Sequence, residues 1–103
     1  MFRSLLIIAL LTAPGFVRSE PSIGARLAAT CAACHGTNGD TQGSTLPALA
    51  GQPQQALSAS LHAFKTGKRE STIMSQIAKG YTDEQIEQLA AWFAAQKKTE
   101  AAK

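Results

Sequence analysis

The sequence predicts a small all-α domain of three to four helices, for three reasons. Three segments carry apolar residues at helical spacing, and no run alternates apolar and polar side chains as a half-buried strand would. Helix-capping residues stand at the expected ends of two of these segments. The chain has 103 residues, which suits one domain, and only 6% of them are aromatic. A domain this small with so few aromatic residues forms a small hydrophobic core, which needs a bound group or a cross-link to complete it.

The first 19 residues have the form of a secretory signal peptide. Arg3 precedes an apolar run over residues 5–11, and a Pro-Gly pair follows that run. The segment ends with a candidate cleavage site at the small residue Ser19. A membrane anchor is the alternative, but a spanning helix needs about 20 apolar residues and this run is far shorter. We therefore expect cleavage after Ser19, export to the periplasm, and a mature domain of residues 20–103 with no membrane span.

The charge balance argues against one class of partner. The whole chain has a net charge of +3, and the predicted signal peptide removes Arg3 and Arg18 from it. The remainder is nearly neutral and has no block of basic residues, so a nucleic acid partner is not expected.

The first helix is predicted from about Pro21, with Ile23, Leu27 and Cys31 on one face. It leads into the segment CAACH, which contains the only two cysteines of the chain. Because nothing else in the sequence could complete the core, this segment is the place to look for a bound group.

The pentapeptide CAACH, in which His35 directly follows the pair Cys31 and Cys34, is the signature of covalent haem attachment. Each cysteine sulfur would form a thioether with one former vinyl group of the porphyrin. The two-residue gap lets both sulfurs reach the ring from one turn of chain, and His35 then faces the iron from the same side. One covalent haem c would also complete the core, so we expect the chain to be largely unfolded without it.

Three other uses of the cysteine pair have weaker support. An exported chain would allow a disulfide, but one across so short a loop would constrain little chain entropy. A thioredoxin-like site needs a βαβ pattern, and no strand pattern lies near the pair. A structural zinc site needs a second pair of ligands, and the only other histidine, His62, stands alone.

A segment rich in glycine and small polar residues follows the motif and predicts a long loop. In so small a domain we expect the haem to hold this loop in place. The second helix should begin at Pro53 and end at Gly67, with Leu57 and Leu61 on its apolar face.

Met74 lies between the second and third helical patterns, where a short helical turn is predicted around residues 75–78. Core methionines normally lie on helix faces, and a thioether is a soft iron ligand, so Met74 is the predicted sixth ligand. His62 is a second possibility, although its position favours a helix surface, and Tyr81 and the lysines are weaker candidates. A His–Met pair raises the reduction potential and leaves no open position, which suits electron transfer better than catalysis.

The third helix has the clearest signals. Thr82 and Gln85 form a capping box at its start. We expect Lys97 and Lys98 in its last turn, where they would complement the helix dipole. Its predicted apolar face consists of Ile86, Leu89, Ala90 and Phe93, with Trp92 at the edge.

The motif, Pro47, Met74 and the last helix together resemble a class I cytochrome c, over essentially the whole predicted mature domain. The resemblance implies the small class I fold, with its helices wrapped around one covalent haem c. It implies that Cys31 and Cys34 hold the haem and that His35 and Met74 are the axial ligands. It also implies that the carbonyl of Pro47 accepts a hydrogen bond from the other ring nitrogen of His35.

The same resemblance implies that the first and last helices cross, with Gly24 and Leu27 against Leu89 and Trp92. Many class I members have an aromatic residue near Leu27, so this crossing contact should be less aromatic than usual.

The stretch FKTGKRESTIMSQIAKGYTDEQIEQLAAWFAAQ is similar to part of the cytochrome subunit of flavocytochrome c sulfide dehydrogenase. In that family a haem subunit accepts electrons from the FAD of a sulfide-oxidising flavoprotein. Some members have two haem domains, whereas this chain has one CXXCH motif. The resemblance implies an electron carrier that is not itself an enzyme, with a flavoprotein partner and other redox proteins as acceptors.

Two alternatives remain at this stage. The first is a freely diffusible cytochrome c that moves electrons between respiratory or photosynthetic complexes. The second is a haem enzyme or gas sensor, which would require an iron position that Met74 does not fill.

Overall fold

The structure is a computed structural model that describes residues 14–15 and 20–98. Over these residues it forms helices, short 3-10 turns and loops without any strand, which confirms the all-α prediction. The helices are α1 (Ile23–Ala28), α2 (Ala32–His35), α3 (Gln54–Thr66), α4 (Met74–Lys79) and α5 (Asp83–Ala94). The predicted signal peptide lies outside the described residues except for Pro14 and Gly15. Of the helices just given, none is long and apolar enough to cross a membrane.

The predicted first helix is present but changes its winding along its length. Ser22 caps α1, because its hydroxyl oxygen accepts a hydrogen bond from the Ala25 N–H at 3.1 Å. A 3-10 turn over Ala29–Cys31 then joins α1 to α2. The chain turns sharply at Gly36, where φ is +80° and a Cβ would lie 1.9 Å from the carbonyl oxygen of Asp40. Only glycine fits there, so α2 ends directly after the motif.

The second helix agrees closely with its prediction. α3 begins immediately after Pro53 and ends at Gly67, which has the left-handed conformation that often terminates helices. Leu57 is buried on its inner face, and Leu61 packs against the same core.

The start of α5 is the predicted capping box. The Gln85 N–H donates to the Thr82 hydroxyl oxygen at 3.1 Å, and the Thr82 N–H donates to the Gln85 side chain at 2.9 Å. The predicted apolar face is buried: Ile86, Leu89, Ala90 and Phe93.

The other end of α5 differs from the prediction. The helix stops before Lys97 and Lys98, so the expectation that these residues lie in its last turn is wrong. The carbonyl of Phe93 accepts a hydrogen bond from the Gly51 N–H at 3.0 Å. The side-chain amide of Gln96 donates to the carbonyl of Trp92 at 2.8 Å. These donors pair with carbonyl groups of the last helical turn, which have no partners within the helix, and the lysines lie beyond it.

α1 crosses α5 where the resemblance implied, and the contact is close. A Cβ on Gly24 would lie 2.7 Å from Cβ of Trp92 and 2.8 Å from the carbonyl oxygen of Gln88. Trp92 also meets Phe93 edge to face, with ring centroids 5.1 Å apart. The buried core beneath this crossing consists of Ala28, Leu57, Leu89, Ala90 and Phe93.

Gly24→Ala should therefore destabilise the protein, although alanine favours helix. The helix preference stabilises by about 1 kcal/mol, whereas forcing an atom into a packed contact costs about 1–3 kcal/mol. We expect a net loss of about 1 kcal/mol, measured by urea unfolding of the haem-loaded protein. Arg26→Ala, at an exposed position of the same helix, is the control and should change little. A Gly24→Ala protein as stable as the wild type would show that the helices are less tightly packed than described.

Candidate haem site

The two cysteines of the motif differ in their surroundings. Cys31 ends the 3-10 turn, half-buried against the core, whereas Cys34 is exposed on α2, and no disulfide joins them. Burial is the main cause that raises the pKa of the Cys31 thiol. A redox-active CXXC pair needs a lowered thiol pKa, so the structure does not favour a thioredoxin-like site. Nor does any group of three His, Cys, Asp or Glu side chains in the described ranges have an arrangement that could hold a metal ion, as a structural zinc site would require.

His35 is the last residue of α2, and its side chain is only 8% exposed. Its Nδ1 lies 2.9 Å from the carbonyl oxygen of Pro47. A carbonyl can only accept, so this contact places the ring proton on Nδ1. In the neutral ring, Nε2 then carries the lone pair, and this is the form of histidine that binds a metal.

The loop that brings Pro47 to His35 is held by its own backbone. The carbonyl of Gly39 accepts hydrogen bonds from the N–H groups of Leu49 and Ala50, at 2.8 and 3.1 Å. Gly39 has a φ of +79°, and a Cβ there would lie 2.8 Å from the Phe93 ring. That haem holds this loop stays a prediction; in the structure, backbone hydrogen bonds and packing against α5 hold it.

Met74 is the first residue of α4, and its side chain is half-buried. The predicted short helical turn is thus present, but it begins one residue earlier than expected and includes Met74. The Ser71 hydroxyl accepts a hydrogen bond from the Ser75 N–H at 2.8 Å and lies 2.9 Å from the Ser75 hydroxyl. α4 packs against α3, so the position of Met74 depends on this pair of hydrogen bonds and on α3.

His62 has a different environment. Its Nε2 lies 3.0 Å from Oε1 of Glu87, and its Nδ1 lies 3.8 Å from Oδ1 of Asp83. Ser58 donates to the same Glu87 oxygen, and Lys65 binds Asp83 at 2.9 Å. Both ring nitrogens of His62 thus face carboxylates of α5. The side chain links α3 to α5 at the surface, and this geometry does not favour it as an iron ligand.

The Glu87 contacts predict a pH effect. Hydrogen bonds from Ser58 and then from His62 lower the pKa of Glu87 below its ordinary value of 4.5. A carboxylate whose pKa is lowered by folding stabilises the fold fully at pH values above its ordinary pKa. This contribution is lost as the pH falls through the folded-state pKa. Glu87→Gln should therefore reduce the unfolding free energy at pH 7. Between neutral and acidic pH, the unfolding free energy of the variant should fall less than that of the wild type. Urea unfolding at neutral and acidic pH measures both, with Glu84→Gln on the same helix as control. Parallel pH profiles for wild type and Glu87→Gln would contradict this assignment.

One contact near the motif was not predicted. The Tyr81 hydroxyl lies 2.8 Å from the hydroxyl of Thr30, the residue before Cys31. The sequence analysis treated Tyr81 only as a weak ligand candidate. The two residues lie 51 positions apart, so no local pattern pointed to the pair.

Comparison with known protein families shows which family the chain belongs to. The sequence profile for cytochrome c matches residues 22–97, which is most of the chain. The chain belongs to the cytochrome c family. This cytochrome therefore carries a covalently attached c-type haem, and the pair Cys31 and Cys34 fits the CXXCH attachment site. The predicted family, fold class and cofactor are confirmed.

Three relatives show the range of functions among similar proteins. This cytochrome is 42% identical to the cytochrome subunit of sulfide dehydrogenase of Chlorobaculum tepidum, over 70% of this chain and 64% of that protein. It is 35% identical to cytochrome c4 of Pseudomonas aeruginosa, over 91% of this chain and 47% of that protein. It is 37% identical to the thiosulfate dehydrogenase electron acceptor of Stutzerimonas stutzeri, over 80% of this chain and 46% of that protein. The chain thus spans less than two thirds of each relative, and the broad function that it shares with them is electron transfer.

The residues of the site fit a c-type haem. The motif supplies two cysteine sulfurs for the thioether bonds, and with Nδ1 of His35 engaged by Pro47, Nε2 is left as a ligand. The core is also short of large side chains, since only Ile86 and Leu89 among the described large residues are fully buried. A flat apolar ring attached at Cys31 would complete such a core.

Proposed function

We propose that this cytochrome is a periplasmic one-electron carrier whose haem iron has His35 and Met74 as axial ligands. The observation that carries the proposal is the 2.9 Å contact between Nδ1 of His35 and the carbonyl of Pro47. With Nδ1 engaged by that carbonyl, Nε2 is the ring atom left to bind iron, in the segment that holds the attachment cysteines. The bound haem supplies the Fe(III)/Fe(II) couple that accepts and passes on one electron.

Met74 supports the carrier role rather than an enzymatic one. Its thioether favours ferrous iron and so raises the reduction potential. Its half-buried position at the start of α4, fixed by the Ser71 and Ser75 hydrogen bonds, suits a permanent ligand. Because histidine and methionine together fill both axial positions, no open position remains for a substrate. The protein therefore has no substrate chemistry of its own.

The proposed electron donor is the FAD of a sulfide-oxidising flavoprotein, with this chain as its cytochrome subunit. The support is the 42% identity to the cytochrome subunit of sulfide dehydrogenase of C. tepidum. The stretch over residues 64–96, which contains Met74, carries the same resemblance. The reduced flavin gives up its electrons singly to the haem, and each electron then passes to another redox protein.

The surface beside Met74 suits a stable protein partner. Ile73 is 59% exposed, and Ile77 in α4 is 37% exposed. Exposed apolar side chains next to the redox centre are what the core of a lasting interface needs. This patch, Ile73 with Ile77, supports a subunit that stays bound to its donor.

The proposed location is the periplasm, with residues 1–19 as a removed signal peptide and 20–103 as the haem domain. The support is the basic residue Arg3 ahead of the apolar run over residues 5–11. A c-type haem subunit exported in this way would meet its redox partners outside the cytoplasm.

The second candidate is a freely diffusible cytochrome that shuttles electrons between larger complexes. It is favoured by the similarity to the thiosulfate dehydrogenase electron acceptor of S. stutzeri and by two exposed basic residues near Met74, Lys68 and Lys79. A shuttle usually attracts its partners with a ring of lysines. Here Lys65 is paired with a carboxylate of α5 and Arg69 lies over an aromatic ring of α3, so few basic groups remain for that role.

The test is gel filtration of a native periplasmic extract, with haem and flavin absorbance followed together. We expect haem and flavin to co-elute at a mass well above that of this chain, and added sulfide to reduce the haem in those fractions. Haem that elutes alone at monomer size would refute the subunit and favour the diffusible carrier.

A pair of variants locates the interface. Ile73→Asp should release the cytochrome from the flavin-containing fractions. Ile23→Asp is the matched control, because Ile23 is 53% exposed but lies on α1, and it should co-elute as the wild type does. If both variants remained bound, the patch beside Met74 would not be the contact surface.

A further inference from the structure

The hydrogen bond between Thr30 and Tyr81 connects two distant parts of the chain. Thr30 directly precedes Cys31 in the attachment segment, and Tyr81 lies between α4 and α5. Their hydroxyl oxygens are 2.8 Å apart. The bond thus links the segment that holds the haem to the segment that carries Met74.

The direction of this hydrogen bond follows from its surroundings. The Thr30 hydroxyl also lies 3.3 Å from the carbonyl of Leu27, which can only accept. The single proton of Thr30 therefore points to Leu27, and the Tyr81 hydroxyl donates to the Thr30 oxygen. Removing the Tyr81 hydroxyl alone eliminates the bond and leaves the Thr30–Leu27 contact intact.

Tyr81 is held by the backbone and the core, whereas Thr30 is exposed and directly precedes a residue that packs on the core. The Tyr81 N–H donates to the carbonyl of Ala78 at 3.2 Å, and Ala78 is fully buried. The Tyr81 ring and Cys31 both pack against the same core cluster. A hydrogen bond from Tyr81 to the residue next to Cys31 restrains the chain segments on either side of it.

α4 is the element that needs this restraint. It has six residues, and a helix that short is unstable unless other parts of the protein hold it. At its start it has the Ser71 and Ser75 contacts, and beyond its end it has Tyr81. Without the hydrogen bond of Tyr81, α4 would move away from the haem more often, and Met74 would move with it.

We propose that the Thr30–Tyr81 hydrogen bond is a positioning contact that keeps Met74 at the iron. This inference rests on the proposed ligation by Met74. The bond makes the open form, in which Met74 has left the iron, rarer than it would otherwise be. An external ligand can bind only to that open form, so its apparent affinity reports how often the form occurs.

The experiment measures imidazole binding to the haem-loaded, oxidised protein. Tyr81→Phe keeps the ring and removes the donor, so we expect its apparent affinity for imidazole to rise about fivefold, the effect of one hydrogen bond. Thr30→Val should give the same rise, and the double variant should add nothing further, since the bond is already lost. Thr30→Ser keeps a hydroxyl and should behave as the wild type does. If Tyr81→Phe fails to fold, Thr30→Val and Thr30→Ser test the proposal by themselves.

Ser58→Ala is the matched control for a purely structural effect. It removes a different hydrogen bond between helices, from Ser58 to Glu87. It should lower the unfolding stability while leaving imidazole affinity unchanged. If Ser58→Ala and Tyr81→Phe raised imidazole affinity equally, the bond would have only a general stabilising role.

Two failures are distinguishable. If the wild type bound imidazole as tightly as Met74→Ala, Met74 would not be a ligand and the proposed function would fail. If the wild type resisted imidazole and both Tyr81→Phe and Thr30→Val resisted it equally, the ligation would stand and the positioning contact would be refuted.

Discussion

Replacing both Cys31 and Cys34 with serine should abolish covalent haem and leave the chain largely unfolded. The thioether bonds need both sulfurs, and serine forms neither. Half of the buried apolar residues in the described part of the chain are alanines, and of its large side chains only Ile86 and Leu89 are fully buried. A core of this kind does not offset the entropy cost of ordering the chain without a bound group, so the unfolding free energy should fall to about zero.

Two measurements check this result. Extraction with acidified acetone should remove all colour from the double variant and none from the wild type. Circular dichroism should show a cooperative thermal transition only in the wild type. The single variants Cys31→Ser and Cys34→Ser are controls, since each keeps one possible thioether. Colour that survived extraction in the double variant would show that the haem is attached elsewhere.

Met74→Ala should have the largest effect on the redox chemistry. The haem should stay attached, because both cysteines remain, but the iron should lose the ligand that favours its ferrous form. We expect the reduction potential to fall by a sizeable part of the range of about 0.8 V that axial ligands span in haem proteins. The vacated position should also bind carbon monoxide in the reduced protein.

Redox titration and the carbon monoxide difference spectrum measure these changes. Ile73→Ala is the control, because Ile73 is adjacent to Met74 but points largely to solvent, and it should keep the wild-type potential. An unchanged potential and no carbon monoxide binding in Met74→Ala would rule out Met74 as the ligand.

Local signals in the sequence predicted most of the fold. The capping box of Thr82 and Gln85 and the glycine stop at Gly67 depend on neighbouring residues alone, and the structure contains both. The attachment motif is local as well, since Cys31 and Cys34 lie within one turn of chain. For such features the nearest neighbours decide the conformation, so the sequence suffices.

The family resemblance implied two contacts between distant residues that the structure contains, but other features that depend on distant residues were wrong or missed. Lys97 and Lys98 were placed in α5 because the helix dipole favours basic residues there, but a hydrogen bond from Gly51 satisfies the helix end instead. The pairing of Thr30 with Tyr81 joins the 3-10 turn after α1 to the segment between α4 and α5, and no periodicity in the sequence reveals it. Such contacts become visible only once the helices are in place.

The proton NMR spectrum of the reduced protein tests the central claim, ligation by His35 and Met74, most directly. The ring current of ferrous haem shifts the methyl group of an axial methionine far upfield of other protein protons. We predict one such resonance in the wild type and in Ile73→Ala, and its loss in Met74→Ala. A reduced wild-type protein without this resonance, or a Met74→Ala protein that retained it, would contradict the proposed ligation.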